Sequence, residues 1–215
     1  KKHTSFLNFS NGSMFKLLVV IINKLVVSLF IFIVVIFYLF TPIALASHSH
    51  IIGRWNLNDN ANSTAKDTSG HDFNGTIYGN NPIPGKYGNA LSFDNNSYIH
   101  IPNNSLSEPQ NITIETWIRK LGSPGTYNYI LSKGASDCIA ASYALYTGSS
   151  GGLQFYVFDG NTFILSPDAG VGIWDGEWHH VTGVYDGAYV RIYVDGSEVD
   201  NGTATDISIK FGIKL

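Results

Sequence analysis

Two histidines stand side by side behind a tryptophan in EWHHVTGVYDGAYVRIYVDG, residues 177–196. Histidine and aspartate side chains bind metals and transfer protons, so His179 and His180 are the first candidates for chemistry. Neighbouring residues on a strand point to opposite faces, so this pair cannot hold one metal ion. The Asp-Gly pairs at 186–187 and 195–196 supply the positive φ angles of two-residue hairpin turns. We interpret the segment as scaffold, with Trp178 as an anchor whose indole N–H bonds a backbone carbonyl.

A second group of oxygen-bearing side chains surrounds a turn near residue 70. The run Asp67-Thr68-Ser69-Gly70 is followed by Asp72 and Asn74. Ca²⁺ takes several oxygen ligands, many of them from the backbone, so a turn rich in carboxylate and carbonyl oxygen suits it. We predict a calcium site with Asp67 and Asp72 as ligands. The alternative is an Asx turn, in which the aspartate side chain caps the local backbone.

Aromatic side chains with polar neighbours form the third group. Saccharide sites combine an exposed aromatic surface with a few polar groups that fix orientation. In NITIETWIRK, Trp117 shares a strand face with Glu115 and Arg119. A further tryptophan, Trp174, lies in the Gly-rich loop GVGIWDG. We predict that Trp117 with Glu115 and Arg119 is one ligand-binding surface and that Trp174 is another, and packing of the aromatic rings in the core is the alternative.

Composition and motifs exclude several classes of protein. After residue 47 the chain carries 9 basic and 16 acidic residues, so we expect no nucleic-acid partner. The His-Glu-x-x-His and phosphate-loop motifs do not occur in the sequence. We therefore expect the protein not to be an enzyme.

Short strands must position these residues, because no stretch after residue 47 repeats with a helical period. Alternate apolar residues form an inner face in NITIETWIRK and AYVRIYV, Ile114 and Ile192 among them. The pattern predicts an all-β antiparallel sandwich or barrel. The predicted strands are 51–57, 73–79, 90–93, 97–102, 111–119, 127–133, 142–147, 152–158, 162–166, 178–185, 189–194 and 206–213.

Residues 14–46 form a separate apolar segment, preceded by an N-terminal extension at 1–13. Sixteen residues from Leu25 to Phe40 are apolar apart from one serine, and a proline follows them. Ala44-Leu45-Ala46 has the small-x-small pattern of a signal peptidase site. We predict a hydrophobic helix that is either a signal peptide cut after Ala46 or an uncleaved membrane anchor for the ~30 Å hydrocarbon core. Either alternative exports the remaining chain, and only the anchor would contact a membrane.

Five segments in order resemble the laminin-G-like jelly-roll domains of the concanavalin A-like lectin/glucanase superfamily. They are GRWNLND (53–59), AKDTSGHDFNGTIYG (65–79), GKYGNALSFDNNSYIHIP (85–102), NITIETWIRK (111–120) and DGEWHHVTGVYDGAYVRIYVDG (175–196). The resemblance implies a two-sheet antiparallel jelly-roll sandwich over residues 51–215. Such domains usually continue beyond the equivalent of Gly212, so we expect a domain that is incomplete at its C-terminus.

The resemblance also sets expectations for function. Several related domains hold a structural calcium near the turn that matches Asp67, and the family tryptophan matches Trp178, which leaves Trp174 for a ligand. The endoglucanases of the superfamily carry Glu-x-Asp-x-x-Glu on one strand, with carboxyl groups about 5–5.5 Å apart. That spacing is absent here, and the nearest grouping, Asp175-Gly176-Glu177, falls in a predicted turn. We expect a secreted or cell-surface, non-catalytic module that binds a glycan or a cell-surface protein. A structural spacer with protein contacts and a glycoside hydrolase are the alternatives.

Overall fold

The chain divides into two compact units, Lys1–His50 and Ile51–Leu215. The structure is a computed structural model that describes residues 24–29, 51–58, 63–134 and 141–209. In the first unit residues 24–29 are helical. The rest of the predicted leader and the extension at 1–13 lie outside the described residues. Among the residues described, no helix has the length and apolar character needed to cross a bilayer.

Short strands build the described part of the second unit, with 3₁₀ turns at Ser105–Ser107 and Val171–Ile173. The strands are β1 (Thr64–Ala65), β2 (Gly75–Tyr78), β3 (Asn81–Pro84), β4 (Asn89–Ser92), β5 (Tyr98–His100), β6 (Ile112–Ile118), β7 (Tyr129–Lys133), β8 (Tyr143–Thr147), β9 (Leu153–Phe158), β10 (Phe163–Leu165), β11 (His179–Tyr185), β12 (Tyr189–Val194), β13 (Ser197–Glu198) and β14 (Thr203–Ala204).

All strand pairs in these sheets are antiparallel. One large sheet has the order β10-β9-β8-β7, and the other has the order β13-β12-β11-β6 with β14 also beside β12. A three-stranded sheet, β1-β2-β5, and the β3–β4 hairpin complete the described unit. The predicted all-β jelly-roll sandwich is confirmed.

The core lies between the facing sides of the two large sheets. The five-stranded sheet contributes alternate residues of β6, β11 and β12: Ile114, Val181, Tyr185, Val190 and Ile192. The four-stranded sheet contributes Tyr143, Leu145, Leu153, Phe155 and Val157. Each large apolar side chain buried in this way stabilises the fold by roughly 1.5–3 kcal/mol. The expected burial of Ile114 and Ile192 is confirmed, so the opposite sides of their strands face outward.

Gly183 of β11 allows the two sheets to approach closely. A Cβ at this position would lie 2.5 Å from Cγ and 3.0 Å from Cβ of Phe155. Phe155 is fully buried in β9, and because its own Cβ is among the close atoms, rotation of the ring cannot relieve the overlap. A glycine is therefore required here by packing and not by the backbone conformation.

Two of the predicted strands are wrong. Residues 51–57 form only the isolated bridge Trp55–Asp67, because the Trp55 ring folds back onto Gly53. The part of 206–213 that the structure describes, residues 206–209, contains no strand; Ile209 packs into the core instead. Sequence reasoning also missed β3, since its two prolines lower its apparent strand propensity.

The two Asp-Gly turns differ from each other. Asp195 and Gly196 have φ angles of 50° and 82° and join the directly paired Val194 and Ser197, as predicted for a two-residue hairpin. The prediction of a two-residue turn at 186–187 is wrong. Residues 186–189 connect the last paired residues of β11 and β12, and among them only Gly187 has a positive φ.

Candidate functional site

The outer side of the five-stranded sheet carries aromatic and charged side chains at one end of β6 and β11. The register places His180 directly opposite Trp117, and the Arg119 guanidinium lies 4.9 Å from the centroid of the Trp178 ring. The loop between β3 and β4 contacts the same end of the sheet. We call the following set the aromatic–basic face: Lys86, Tyr87, Glu115, Trp117, Arg119, Trp178 and His180.

Trp117 lies at the centre of the aromatic–basic face and is contacted from three directions. Its ring centroid is 5.7 Å from that of Tyr87, in an edge-on arrangement, and 5.1 Å from that of His180. The ammonium group of Lys86 lies 5.2 Å from the same centroid. Trp117 is half-buried, whereas Tyr87 is 73% exposed. An aromatic surface is thus available to a ligand beside flexible polar groups.

Arg119 and Trp178 form a second aromatic–cation pair on this face. The ring of Trp178 is half-buried, and Arg119 is exposed. A guanidinium over an exposed ring contributes about 0.5–1 kcal/mol and leaves its N–H donors free to bind an anion.

Glu115 contributes a carboxylate to the face. Its side chain is 69% exposed, and one oxygen lies 3.8 Å from His180 Nε2. The structure thus brings together three of the predicted ligand residues, Glu115, Trp117 and Arg119. Sequence reasoning missed Lys86 and Tyr87, because they come from a hairpin some thirty residues earlier. It also missed Trp178, although the alternation that places His180 outward places Trp178 outward as well.

Trp174 does not join this face. It is only 6% exposed, packs in the core cluster, and donates from its indole N–H to the Gly151 carbonyl at 2.8 Å. Its ring therefore offers no stacking surface to a saccharide. The roles predicted for the two tryptophans are exchanged: Trp174 is the anchor bonded to a backbone carbonyl, and Trp178 lies on the outer surface.

The predicted calcium ligand Asp67 is the acceptor at the centre of a turn. Its Oδ1 accepts hydrogen bonds from the backbone N–H groups of Arg54 at 2.9 Å and Ser69 at 2.8 Å. Its Oδ2 accepts from Ser69 Oγ at 2.7 Å and from the Phe73 N–H at 3.0 Å. Burial raises the pKa of this carboxyl, but these donors outweigh burial and lower the pKa to about 2.

These hydrogen bonds bear on the calcium prediction. A carboxylate offers about four lone-pair sites, and in this conformation the four donors fill them. Asp72 is exposed and has a φ of 57°. Within the described residues no group of three or more His, Cys, Asp or Glu side chains is arranged to hold a metal. The arrangement fits the Asx-turn alternative, and calcium binding stays a prediction.

The two histidines point to opposite faces, as predicted. His179 lies between two carboxylates: its Nδ1 is 2.7 Å from Asp195 Oδ2, and its Nε2 is 3.2 Å from Asp175 Oδ1. The bond to Asp195, followed by the bond to Asp175, raises the pKa of His179 despite partial burial. Asp195 also accepts from the His180 N–H at 2.9 Å. The cluster ties the loop after Val171–Ile173 to the β12–β13 turn.

The fold matches a known family. The Laminin_G_3 family, described as part of the concanavalin A-like lectin/glucanases superfamily, matches residues 93–212, which is more than half of the chain. The chain belongs to this family. No curated protein matches the chain. Among solved structures, this Laminin_G_3 domain is similar to domain 4 of AbnA, a GH43 extracellular arabinanase from Geobacillus stearothermophilus, in complex with arabinotriose. That similarity has 21% identity and a TM-score of 0.51, over 68% of this chain and 73% of the other.

A second solved structure is an S-layer domain-containing protein (residues 221–444) from Clostridium thermocellum ATCC 27405. It is 25% identical with a TM-score of 0.43, over 68% of this chain and 70% of that chain. At these levels of similarity the comparison with the arabinanase domain supports the fold of this Laminin_G_3 domain, and the ligand must be argued from its own side chains.

Proposed function

We propose that this Laminin_G_3 domain is an exported, non-catalytic module that binds a glycan on the aromatic–basic face. The observation that carries the proposal is Trp117, a tryptophan on the outer side of a sheet with Tyr87 beside it and polar groups around it. An aromatic ring takes the apolar face of a sugar, and the surrounding donors and acceptors take its hydroxyl groups.

The state of the carboxylates supports a non-catalytic role. Glycoside hydrolysis needs two carboxyl groups that flank the scissile bond. Asp175 and Asp195 are both engaged by His179, whose side chain points to the other face of the sheet. Glu115 is the one carboxylate of the aromatic–basic face. Hydrolysis of a glycan by the full chain would contradict this part of the proposal.

A glycan array with the full chain, kept in mild detergent because residues 25–40 are apolar, tests binding. The array should include arabinotriose, since a domain of the same fold was solved with it. We expect Trp117→Ala to weaken binding by at least about tenfold, because a central aromatic side chain commonly contributes roughly 2 kcal/mol or more to an interface. Tyr87→Ala, at a position too exposed to affect folding, should weaken binding in the same direction.

Tyr78→Ala is the matched control. Tyr78 is also an exposed aromatic residue and is 43% exposed, but it stacks on Tyr98 in the three-stranded sheet and is not part of the aromatic–basic face. We expect this variant to bind like the wild type. Equal loss in the Tyr78 and Tyr87 variants, or unchanged binding in Tyr87→Ala, would remove the aromatic–basic face from the binding site.

A spacer with protein contacts is the second candidate, and the Tyr78–Tyr98 pair favours it. The two rings are directly cross-strand, stack at 4.6 Å and are both exposed, as aromatic side chains in protein interfaces often are. Failure of the full chain to bind any glycan, together with self-association that Tyr78→Ala abolishes, would favour the spacer.

A further inference from the structure

Two cations of the aromatic–basic face have no carboxylate partner among the residues that the structure describes. Carboxylates in that part of the chain contact Lys133, His179, His180 and Arg191. Lys86 and Arg119 form no ion pair within that part of the chain, and each lies over an indole ring instead. A cation held only by a ring can pair with an incoming anion without breaking an existing ion pair.

Two acids that flank His179 are already occupied. Both oxygens of Asp195 are engaged, one by His179 Nδ1 and the other by the His180 N–H. Asp175 accepts from His179 and from the Glu177 N–H. Glu115 lies 3.8 Å from His180 Nε2. Asp175 and Asp195 therefore have local partners, and in the described part of the chain no carboxylate pairs with Lys86 or Arg119.

Lys86 and Arg119 contrast with the average charge of the chain. The residues after 47 carry 9 basic and 16 acidic side chains, so the average surface repels anions. Two unpaired cations beside two tryptophans are an exception to that average. A charge of one sign at a defined place steers ligands of opposite sign and selects among them.

We infer that the aromatic–basic face binds an acidic saccharide, one whose sugar rings carry carboxylate groups. The inference rests on the proposed function and adds the substrate class. A sugar ring lies against Trp117, and its carboxylate is bound by Arg119, whose planar N–H groups match a carboxylate in bidentate fashion. Lys86 leaves the Trp117 ring, at a cost of about 0.5–1 kcal/mol for an exposed cation–π contact, and pairs with the same or the next carboxylate.

The probes are an oligogalacturonate, the same oligosaccharide with its carboxyl groups methyl-esterified, and arabinotriose. Binding to the full chain is measured by calorimetry at two salt concentrations. The acid and its ester differ only in charge, so their ratio isolates the electrostatic contribution. We expect the acid to bind about tenfold more tightly than the ester at low salt, and the ratio to shrink at high salt because exposed charges are screened.

Single charge-removing variants locate the effect. We expect Arg119→Gln and Lys86→Gln each to weaken binding of the acid by about three- to tenfold, because a hydrogen bond to a charged group is stronger than a neutral one. Binding of the ester should not change. Arg54→Gln removes the same charge at an exposed position beside the Asp67 turn and should bind the acid like the wild type.

The outcomes separate the two proposals. Equal affinity for acid and ester, or a loss in Arg54→Gln as large as in Arg119→Gln, overturns the acidic-saccharide inference and leaves glycan binding in place. Binding of arabinotriose but of neither the acid nor its ester also overturns the acidic-saccharide inference and leaves glycan binding in place. Absence of binding to all three probes and to the array overturns both.

Discussion

Replacing Asp67 by asparagine tests how the turn at the start of the sandwich is held. The carboxylate is 5% exposed and accepts two hydrogen bonds on each oxygen, from donors in residues 54, 69 and 73. Asparagine keeps the shape of the side chain but turns one acceptor into an NH₂ group. That group would face two donors, whichever way the amide is oriented.

The size of the effect follows from the pKa of Asp67. The donors lower it from 3.8 to about 2, and a difference of nearly two units corresponds to about 2 kcal/mol of preference for the charged form. Because the folded pKa is below the unfolded one, this stabilisation is present above pH ~4 and is lost as the pH falls toward 2. Donors left without an acceptor add about 1–3 kcal/mol. We expect Asp67→Asn to lower the free energy of unfolding by about 2–4 kcal/mol at neutral pH.

Urea unfolding of the full chain, followed by tryptophan fluorescence between pH 2.5 and 7, measures this effect. The wild type should lose stability below pH 4, and the Asp67→Asn curve should be flatter there. Asp72→Asn is the control, since asparagine tolerates the φ of 57° at this exposed position. A change of less than 0.5 kcal/mol in Asp67→Asn, a value ordinary for surface substitutions, or parallel pH curves would refute the reasoning.

The same titration, repeated with millimolar calcium, tests the metal prediction. The Asx-turn alternative gives no shift, because the four donors already fill the lone pairs of Asp67. A calcium-dependent rise in the free energy of unfolding that disappears in Asp67→Asn would instead confirm calcium at this turn.

Two further predictions concern packing and pH. Gly183→Ala should lower the free energy of unfolding by about 1–3 kcal/mol in urea titrations, because the new methyl overlaps Phe155; an unchanged midpoint would contradict the close packing. The pKa of His179 is raised by Asp195 and then Asp175, so its contribution is present below the ordinary histidine pKa and fades as the pH rises through the folded value. The pKa values of the two aspartates are lowered, so their contribution to the free energy of unfolding fades in acid. We therefore expect His179→Gln to remove a stability maximum between roughly pH 4 and 6.5. Identical pH profiles of wild type and His179→Gln would refute it.

Much of the fold could be predicted because it depends on local patterns. Alternation in β6 and β12 identified Ile114 and Ile192 as core residues, and Asp195-Gly196 adopted its predicted turn. The prediction failed where a second segment decides the outcome. Asp186 does not adopt the positive φ expected of a two-residue turn. Its side chain accepts hydrogen bonds from the backbone N–H groups of residues 188 and 189 and so holds a longer loop.

The sequence by itself determined the strand faces, the acidic average charge and the grouping of Glu115, Trp117 and Arg119 on one side of a strand. Only the tertiary structure decided which tryptophan is exposed. Trp174 is buried because its indole reaches a carbonyl 23 residues away, and Trp117 gains Lys86 and Tyr87 from a distant hairpin. The physical reason is that alternation is set by the local backbone, whereas the burial of a loop side chain depends on contacts between segments far apart in the chain.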